Sequence, residues 1–300
     1  MINRANIAKN LWPGIRFHFG DEYKDQPEQF KALFDTETSD KAFEEMVNTF
    51  QFALAPIKRE GSPVSYDEAG NAWSVRVQHN AYALGFIVTR EAIADDQYFD
   101  LVPKYTRALK RSMKITKEVR AAAYYGLAFN NSQLGGDGVP LIADDHPLTS
   151  GGTLSNVGAS GDLSETSLEA ALTSLMLWTD ERGLRINVKA KSLHVAPQNH
   201  FTAARILGTE MRPGTADNDI NVIKSANLIP GGCHTNSYFT DPYAWFLRTD
   251  CAQSMIHFER EALDIEPGEG MDNQVVKALA YERYSFVHGD WRGLWGQAGV

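Results

Sequence analysis

Cysteine is nearly absent from this chain of 300 residues, which holds only Cys233 and Cys251. Two thiols so far apart frame neither a disulfide scaffold nor a four-ligand zinc site, and a reducing compartment is the natural setting. Long apolar runs are missing too. No stretch approaches the roughly 18 apolar residues of a membrane-spanning helix, and the N-terminal MINRANIAKNLWPGIRFHFGDEY lacks the continuous apolar core of a secretory signal. The expectation is an unanchored, cytosolic protein. Positive charge is in deficit, with 29 Lys and Arg against 38 Asp and Glu, a formal net charge of -9 and a pI near 5.4. A molecule so acidic is no general binder of polyanions, so any contact with nucleic acid must be local or weak. Internal repeats and low-complexity tracts are absent as well.

Catalytic signatures are the next absence. Gly135-Gly136-Asp137-Gly138 lacks the Lys-Ser/Thr of a phosphate loop, and neither a nucleophile elbow nor an HExxH pair occurs. Asp144-Asp145-His146 can be drawn as a metal or acid-base cluster, but a polar turn before Pro147 is the simpler reading. In Cys233-His234 adjacent side chains of a strand point to opposite faces, which argues against a dyad. His194, His200, His257 and His288 stand at spacings that suit no metal and read as surface or core-edge residues. The sequence predicts no catalytic residue, no metal and no cofactor.

What is present begins with a helical rhythm from about Asp100 to about Phe129. Leu101, Tyr105, Leu109 and Met113 recur every four residues, and Val119, Ala122 and Ala123 continue the stripe. Such a helix would be roughly 45 Å long, too long to bury in one compact core. It must act as a strut across a broad molecule. Its other face carries Lys104, Arg107, Lys110, Arg111, Lys114, Lys117 and Arg120. A solvated face is the simplest account of them; a nucleic-acid groove and docking against acidic segments of neighbouring copies are the alternatives.

The rest of the chain falls into pieces around that strut. Residues 1 to about 40 mix aromatics with Pro13, Pro27, Gly14 and Gly20 and read as an arm that gains order on something else. Thr38-Ser39-Asp40 is expected to cap a short helix, KAFEEMVNTFQFAL, with Glu44 and Glu45 in its first turns. From Pro56 to Phe86 the period becomes two: Trp73, Val75 and Val77 alternate with Ser74, Arg76 and Gln78 after a turn at Asp67-Glu68, predicting a two-stranded hairpin. A ribbon of that kind is marginal by itself in water and needs a partner. After the strut come a glycine-rich loop, a capped helix from Ser164 to Gly183, a strand KSLHVAP and a helix QNHFTAARILGTEM. The strands INVIKSANLIP, NSYFTDPYAWFLRTD and SMIHFERE follow, then a short helix around Asp272 to Ala280 and a terminal strand run ending near Trp295. The chain is α+β and long enough for about two domains.

Four blocks carry a resemblance: LFDTETSDKAFEEMV, LIADDHPLTSGGTLSNV followed by DLSETSLEAALTSL, KSLHVAPQNHFTAARIL, and MIHFEREALDIEPGEGMDNQVVKALAYERYSFVHGDW. In their joint order they resemble tailed-bacteriophage major capsid proteins of the Hong-Kong-ninety-seven type, most closely the Mu-like major head subunits. The resemblance implies the phage major capsid fold, with an N-terminal arm and short helix over 1–52, an extended E-loop hairpin over 53–89, a peripheral domain with spine helix over 90–150 and 251–300, and an axial domain over 151–250. It implies a shell of hexamers and pentamers of this chain, assembled in the host bacterial cytoplasm around double-stranded DNA. A portal, a possible decoration protein and weak contact between the basic spine face (Lys104, Arg107, Arg111, Lys114) and packaged DNA belong to the same implication. Trp73 and Tyr82 would anchor the hairpin on an adjacent subunit, with Lys58, Arg59, Asp67, Glu68 and Arg76 as further interface candidates. The capping helix begins by Lys41 and leaves no room for a fused scaffolding segment, so a separate scaffolding protein is expected. Crosslinking is not. An encapsulin-like nanocompartment shell is the alternative, and a cytosolic hydrolase using Asp145 and His146 a more distant one.

Overall fold

The structure, a computed structural model, describes residues 27–89, 98–159, 161–211, 220–270 and 275–299. The expectation for residues 1–26 of the arm lies outside the described residues. The first element is a single helical turn, Phe30–Leu33 (α1), which leads into Asp35–Thr38 (β1), Phe43–Phe50 (β2), Gly70–Gln78 (β3) and Asn80–Val88 (β4). The strut follows as Tyr98–Gly126 (α2), close to the predicted bounds. Beyond it lie the short strands His146–Pro147 (β5) and Thr153–Leu154 (β6), then Glu165–Leu177 (α3), Ala190–Val195 (β7), His200–Gly208 (α4) and Val222–Ser225 (α5). Cys233–Thr235 (β8), Trp245–Thr249 (β9), Met255–Gly270 (β10), Val275–His288 (β11) and Leu294–Gln297 (β12) complete the fold.

Two four-stranded sheets organise these elements, one in the order β1-β10-β11-β4 and the other β12-β9-β7-β8. The predicted stripe of α2 explains its place on the first. Leu109 and Met113 are buried against Ile265, Ala278 and Ala280, with Tyr82, Phe86 and Val88 packed around them. Further along, Ala121 and Tyr125 pass into the main core, which they share with Trp178 after α3 and with Leu193, Trp245, Phe246 and Trp295 of the second sheet. One helix therefore ties both layers together. Ser164 caps α3 through a reciprocal bond with Ser167, and Leu168, Ala171, Leu172 and Leu175 form its buried face. The helix stops at Leu177, short of Gly183, and Met176, expected on that face, is 57% exposed.

The arm's end is fixed by α2. The Glu118 carboxylate accepts the backbone N–H groups of Gln29 and Phe30, each at 2.9 Å, while burial pushes its pKa up to about 7. Glu118→Ala is expected to cost about 1–3 kcal/mol, because it strands two donors in a part-buried site. Urea midpoints would register the loss, and an unchanged midpoint would contradict it.

Four local expectations are corrected. Residues 43–50, predicted as a capped helix, form β2: Met46 is buried with Ile256, Phe258 and Val287, beside Val75 and Val77. The i, i+3, i+4 spacing of Phe43, Met46, Val47 and Phe50 is a helical signal that the β-ladder overrides, since pairing with β3 and burial of Met46 stabilise more than propensity does. Ser39 caps no helix; its hydroxyl donates to Glu44 Oε1 at 2.7 Å. The hairpin expected from 56 to 86 is not one pair either, because β3 pairs with β2 while β4 pairs with β11. Residues 275–280, expected helical, open β11, and Val222–Ser225 is a helical turn capped by Asn221 instead of a strand.

Candidate assembly interface

The ribbon that exists is β2 with β3, joined by residues 51–69. Every residue of that connection is exposed. Pro56 and Pro63 cannot donate to a ladder, and Gly61, at φ +75, makes a tight turn closed by Ser62 N–H to the Arg59 carbonyl at 3.1 Å. The connection is nevertheless rich in large apolar side chains: Phe52 is 60% exposed, Leu54 80%, Ile57 95%, Val64 57% and Tyr66 93%. Apolar groups gathered in this way mark a contact surface, because leaving them in water forfeits about 25 cal/mol per Å² of burial.

The ribbon's root is clamped to the body. Asp67 accepts the Ala53 N–H at 2.8 Å across the connection, which with the Glu68 N–H and Arg182 holds its carboxyl below the ordinary value. Arg182 reaches Asp67 at 3.3 Å and the Glu68 carbonyl at 2.7 Å, with its guanidinium 4.8 Å over the Phe50 ring. At the other end His79 occupies the bend between β3 and β4. Its ring lies 3.0 Å from Ser285 Oγ and 3.2 Å from Ser39 Oγ, and burial, reinforced by Arg283 and Arg260, lowers its pKa.

Several predicted interface residues make contacts within this subunit. Tyr82 stacks on Tyr284 at 4.5 Å inside the helix-on-sheet core, and Trp73 packs against the main core with Arg292 6.0 Å from its ring. Arg76 lies 3.6 Å over Phe43 on the ribbon itself. Lys58, Arg59 and Glu68 remain in the exposed connection. Sequence reading missed Phe52, Leu54, Ile57, Val64 and Tyr66. The available signal was apolar residues set among prolines and glycine with no periodic partner.

The basic spine face divides. Lys104, Arg107 and Arg111 line an exposed groove of about 840 Å³ together with Ala108, Ile115 and Val119. Lys114 is half-buried. Lys110 and Lys117 are buried, and Lys117 pairs with Glu282 at 2.8 Å beneath the helix, so a solvated face is the wrong account of those two. The predicted polar turn at 144–146 is likewise half right: Asp144 and Asp145 are exposed, whereas His146 is fully buried, 2.7 Å from Asp137 and stacked on Trp291 at 4.2 Å. His194, His257 and His288 are also core residues, while His200, the fourth of that set, is at the surface. Burial pushes the Cys233 thiol up to about 11, which makes it a poor nucleophile. Among the described residues no group of three or more metal-ligating side chains gathers, and no helix is long and apolar enough to cross a membrane.

A family model described as phage capsid protein matches residues 74–296. Among solved structures, the procapsid of bacteriophage JBD30 aligns with a TM-score of 0.55 at 15% identity, covering 99% of this chain and 76% of that one. The capsid of cyanophage P-SCSP1u aligns at 0.54 with 13% identity, covering 90% and 88%. The SrpI encapsulin complex from Synechococcus elongatus PCC 7942 aligns at 0.52 with 11% identity, covering 92% and 88%. No match is found among curated proteins.

Proposed function

Since the chain belongs to the phage capsid protein family, we propose that it is the major head subunit of a tailed bacteriophage, copies of which close into an icosahedral shell around double-stranded DNA. One observation carries the reading beyond the family: the exposed connection of the β2–β3 ribbon displays five large apolar side chains that none of the described residues covers. Heterologous contacts repeated around a ring give closed hexamers and pentamers, and small changes in ribbon angle at the His79 bend would let one sequence serve both. This reading places the E-loop at the β2–β3 ribbon and its connection, the peripheral domain around α2 and the first sheet, and the axial domain around α3, α4 and the second sheet. The Mu-like branch, assembly in the host cytoplasm, a separate scaffolding protein, a portal and a decoration protein remain parts of the proposal. So does loose contact of Lys104, Arg107, Arg111 and Lys114 with packaged DNA, whose phosphates an acidic wall would not grip.

Negative-stain microscopy of the full chain, alone and co-expressed with a candidate scaffold, is expected to show closed shells built of rings. Monomers under every condition would overturn the proposal. A protein nanocompartment is the second reading, favoured by the encapsulin alignment. Ultraviolet absorbance of purified particles separates the two: nucleic acid within supports the phage head, and protein cargo supports the compartment.

A further inference from the structure

The first sheet has two edges of opposite character. On one side β1 presents Asp35-Thr36-Glu37-Thr38, four exposed residues of which two are acidic, and charge on an edge discourages pairing with other chains. On the other side β4, Asn80-Ala-Tyr-Ala-Leu-Gly-Phe-Ile-Val88, has no charge and no proline, and its nine residues pair with β11 without a register shift. Among the described residues no strand pairs with its outer side. Leu84 and Ile87, on opposite faces, are 44% and 63% exposed. A long, straight, neutral edge is a template for a further strand, and native chains leave one only where something covers it.

The same chain carries a segment suited to cover it. Gln51–Ala55 of the ribbon's connection is uncharged, exposed and without a ladder partner, with Phe52 and Leu54 alternating against Ala53 and Ala55. Ala53 turns its N–H inward to Asp67 at 2.8 Å. Successive N–H groups of an extended chain point to opposite sides, so with the segment extended and Ala53 bonded to Asp67, those of Phe52 and Leu54 would be free to pair outward. We propose that residues 51–55 of one copy add a strand to the outer edge of β4 in the next copy, so that backbone pairing in addition to side-chain burial joins adjacent subunits. This rests on the reading of the ribbon as an intersubunit element and names its acceptor. Phe52 and Leu54 then share a face with either Leu84 or Ile87. Pro56 ends the added strand, since its ring nitrogen has no hydrogen to donate.

The test is cysteine pairing in the full chain, with Leu54→Cys or Phe52→Cys combined with Ala83→Cys or Leu84→Cys, one on each face of β4, oxidised in purified particles and compared with the unaltered chain. Strand neighbours bring Cα atoms within the about 4.4–6.8 Å that a disulfide tolerates. At least one combination is expected to give a ladder of covalent oligomers on a non-reducing gel, while each single variant gives monomer. Particles that form normally without a ladder in any combination would overturn the strand pairing and leave the shell reading intact. Dimers from Ala83→Cys alone would overturn it as well, by showing that the edge pairs with itself. If the unaltered chain makes no particles under any condition, the shell reading fails instead. Ala83→Lys, at an exposed position, is expected to lower particle yield about tenfold or more, as loss of one contact per subunit should, with the monomer's circular dichroism unchanged; undiminished yield counts against the proposal.

Discussion

Arg292→Met is expected to destabilise the folded subunit by about 3–5 kcal/mol. Arg292 is 3% exposed and bonds in four directions: to Glu181 Oε1 at 2.6 Å, to the Thr179 carbonyl at 3.1 Å, to Asp290 at 3.3 Å, and over the Trp291 ring at 4.3 Å. Its attraction to Glu181 roughly offsets the cost of removing both ions from water, so the intact pair contributes little net stability. Removing the cation alone is different. Glu181, itself 3% exposed, would keep only the long contacts from Thr149 N and Oγ1, at 3.3 and 3.4 Å, to hold a buried charge. The double variant Arg292→Met with Glu181→Leu should therefore recover most of the loss, because the carboxylate that remains, Asp290, keeps the backbone N–H of residue 292 and the Asn48 amide. Urea midpoints of the two single variants and the double give the coupling directly. A single-variant loss below about 1 kcal/mol, or a double variant no better than the singles, would sink the account. The effect should extend to assembly, since Asp290 also receives Asn48 of the ribbon at 3.3 Å and Trp73 lies beside the guanidinium.

Arg292 also shows where sequence reading stops. In the sequence it is one basic residue in DWRGLWG, and nothing local says that its partner stands 111 positions earlier. The long helix was legible because its pattern is local and sustained, and the α+β class followed from the switch between periods of 3.6 and two. The helices at 165–177 and 200–208 were legible for the same reason. Strand partnership was not. β3 and β4 are separated only by His79, and adjacency suggested a hairpin, yet each found a partner elsewhere. Residues 43–50 carry the helical spacing alone, and the ladder with β3 overrides it. Of the interface, the need for a partner could be read from an unsupported ribbon. The residues that need it could not, because apolar side chains in a turn-rich stretch look the same in sequence whether they face inward, as Trp73 does, or outward, as Ile57 does.

Acidification should destabilise the subunit in two stages, shallow from about pH 6.5 to 4.5 and steep below. Burial pushes His288 down to about 4 and His257 down to about 3, the latter assisted by Lys117 and Lys31, and holds His194 well below its ordinary value. As pH falls through 6.5 the unfolded chain takes up protons at these positions and the folded chain does not, so the stability present above 6.5 is lost toward the folded pKa values, on the order of 3 kcal/mol for His288 alone. The Tyr124 hydroxyl lies 2.6 Å from His288 Nδ1. Glu118 works in the opposite direction. Its pKa, about 7 folded against 4.5 as a free side chain, means that the folded state holds a proton that the unfolded state has released between these values, so stability rises as pH falls through that window. Glu282, raised by burial against the pull of Lys117, adds to the same opposition. Below 4.5 the unfolded carboxylates are protonated too, the opposition ends, and the histidines act alone. Glu118→Gln removes one opposing group and should steepen the loss between 6.5 and 4.5, whereas His288→Asn should flatten the loss from 6.5 down to about 4. Urea midpoints measured at half-unit steps from pH 7 to pH 4 decide the matter: parallel curves for the unaltered chain and both variants would refute the assignment of the two stages to these groups.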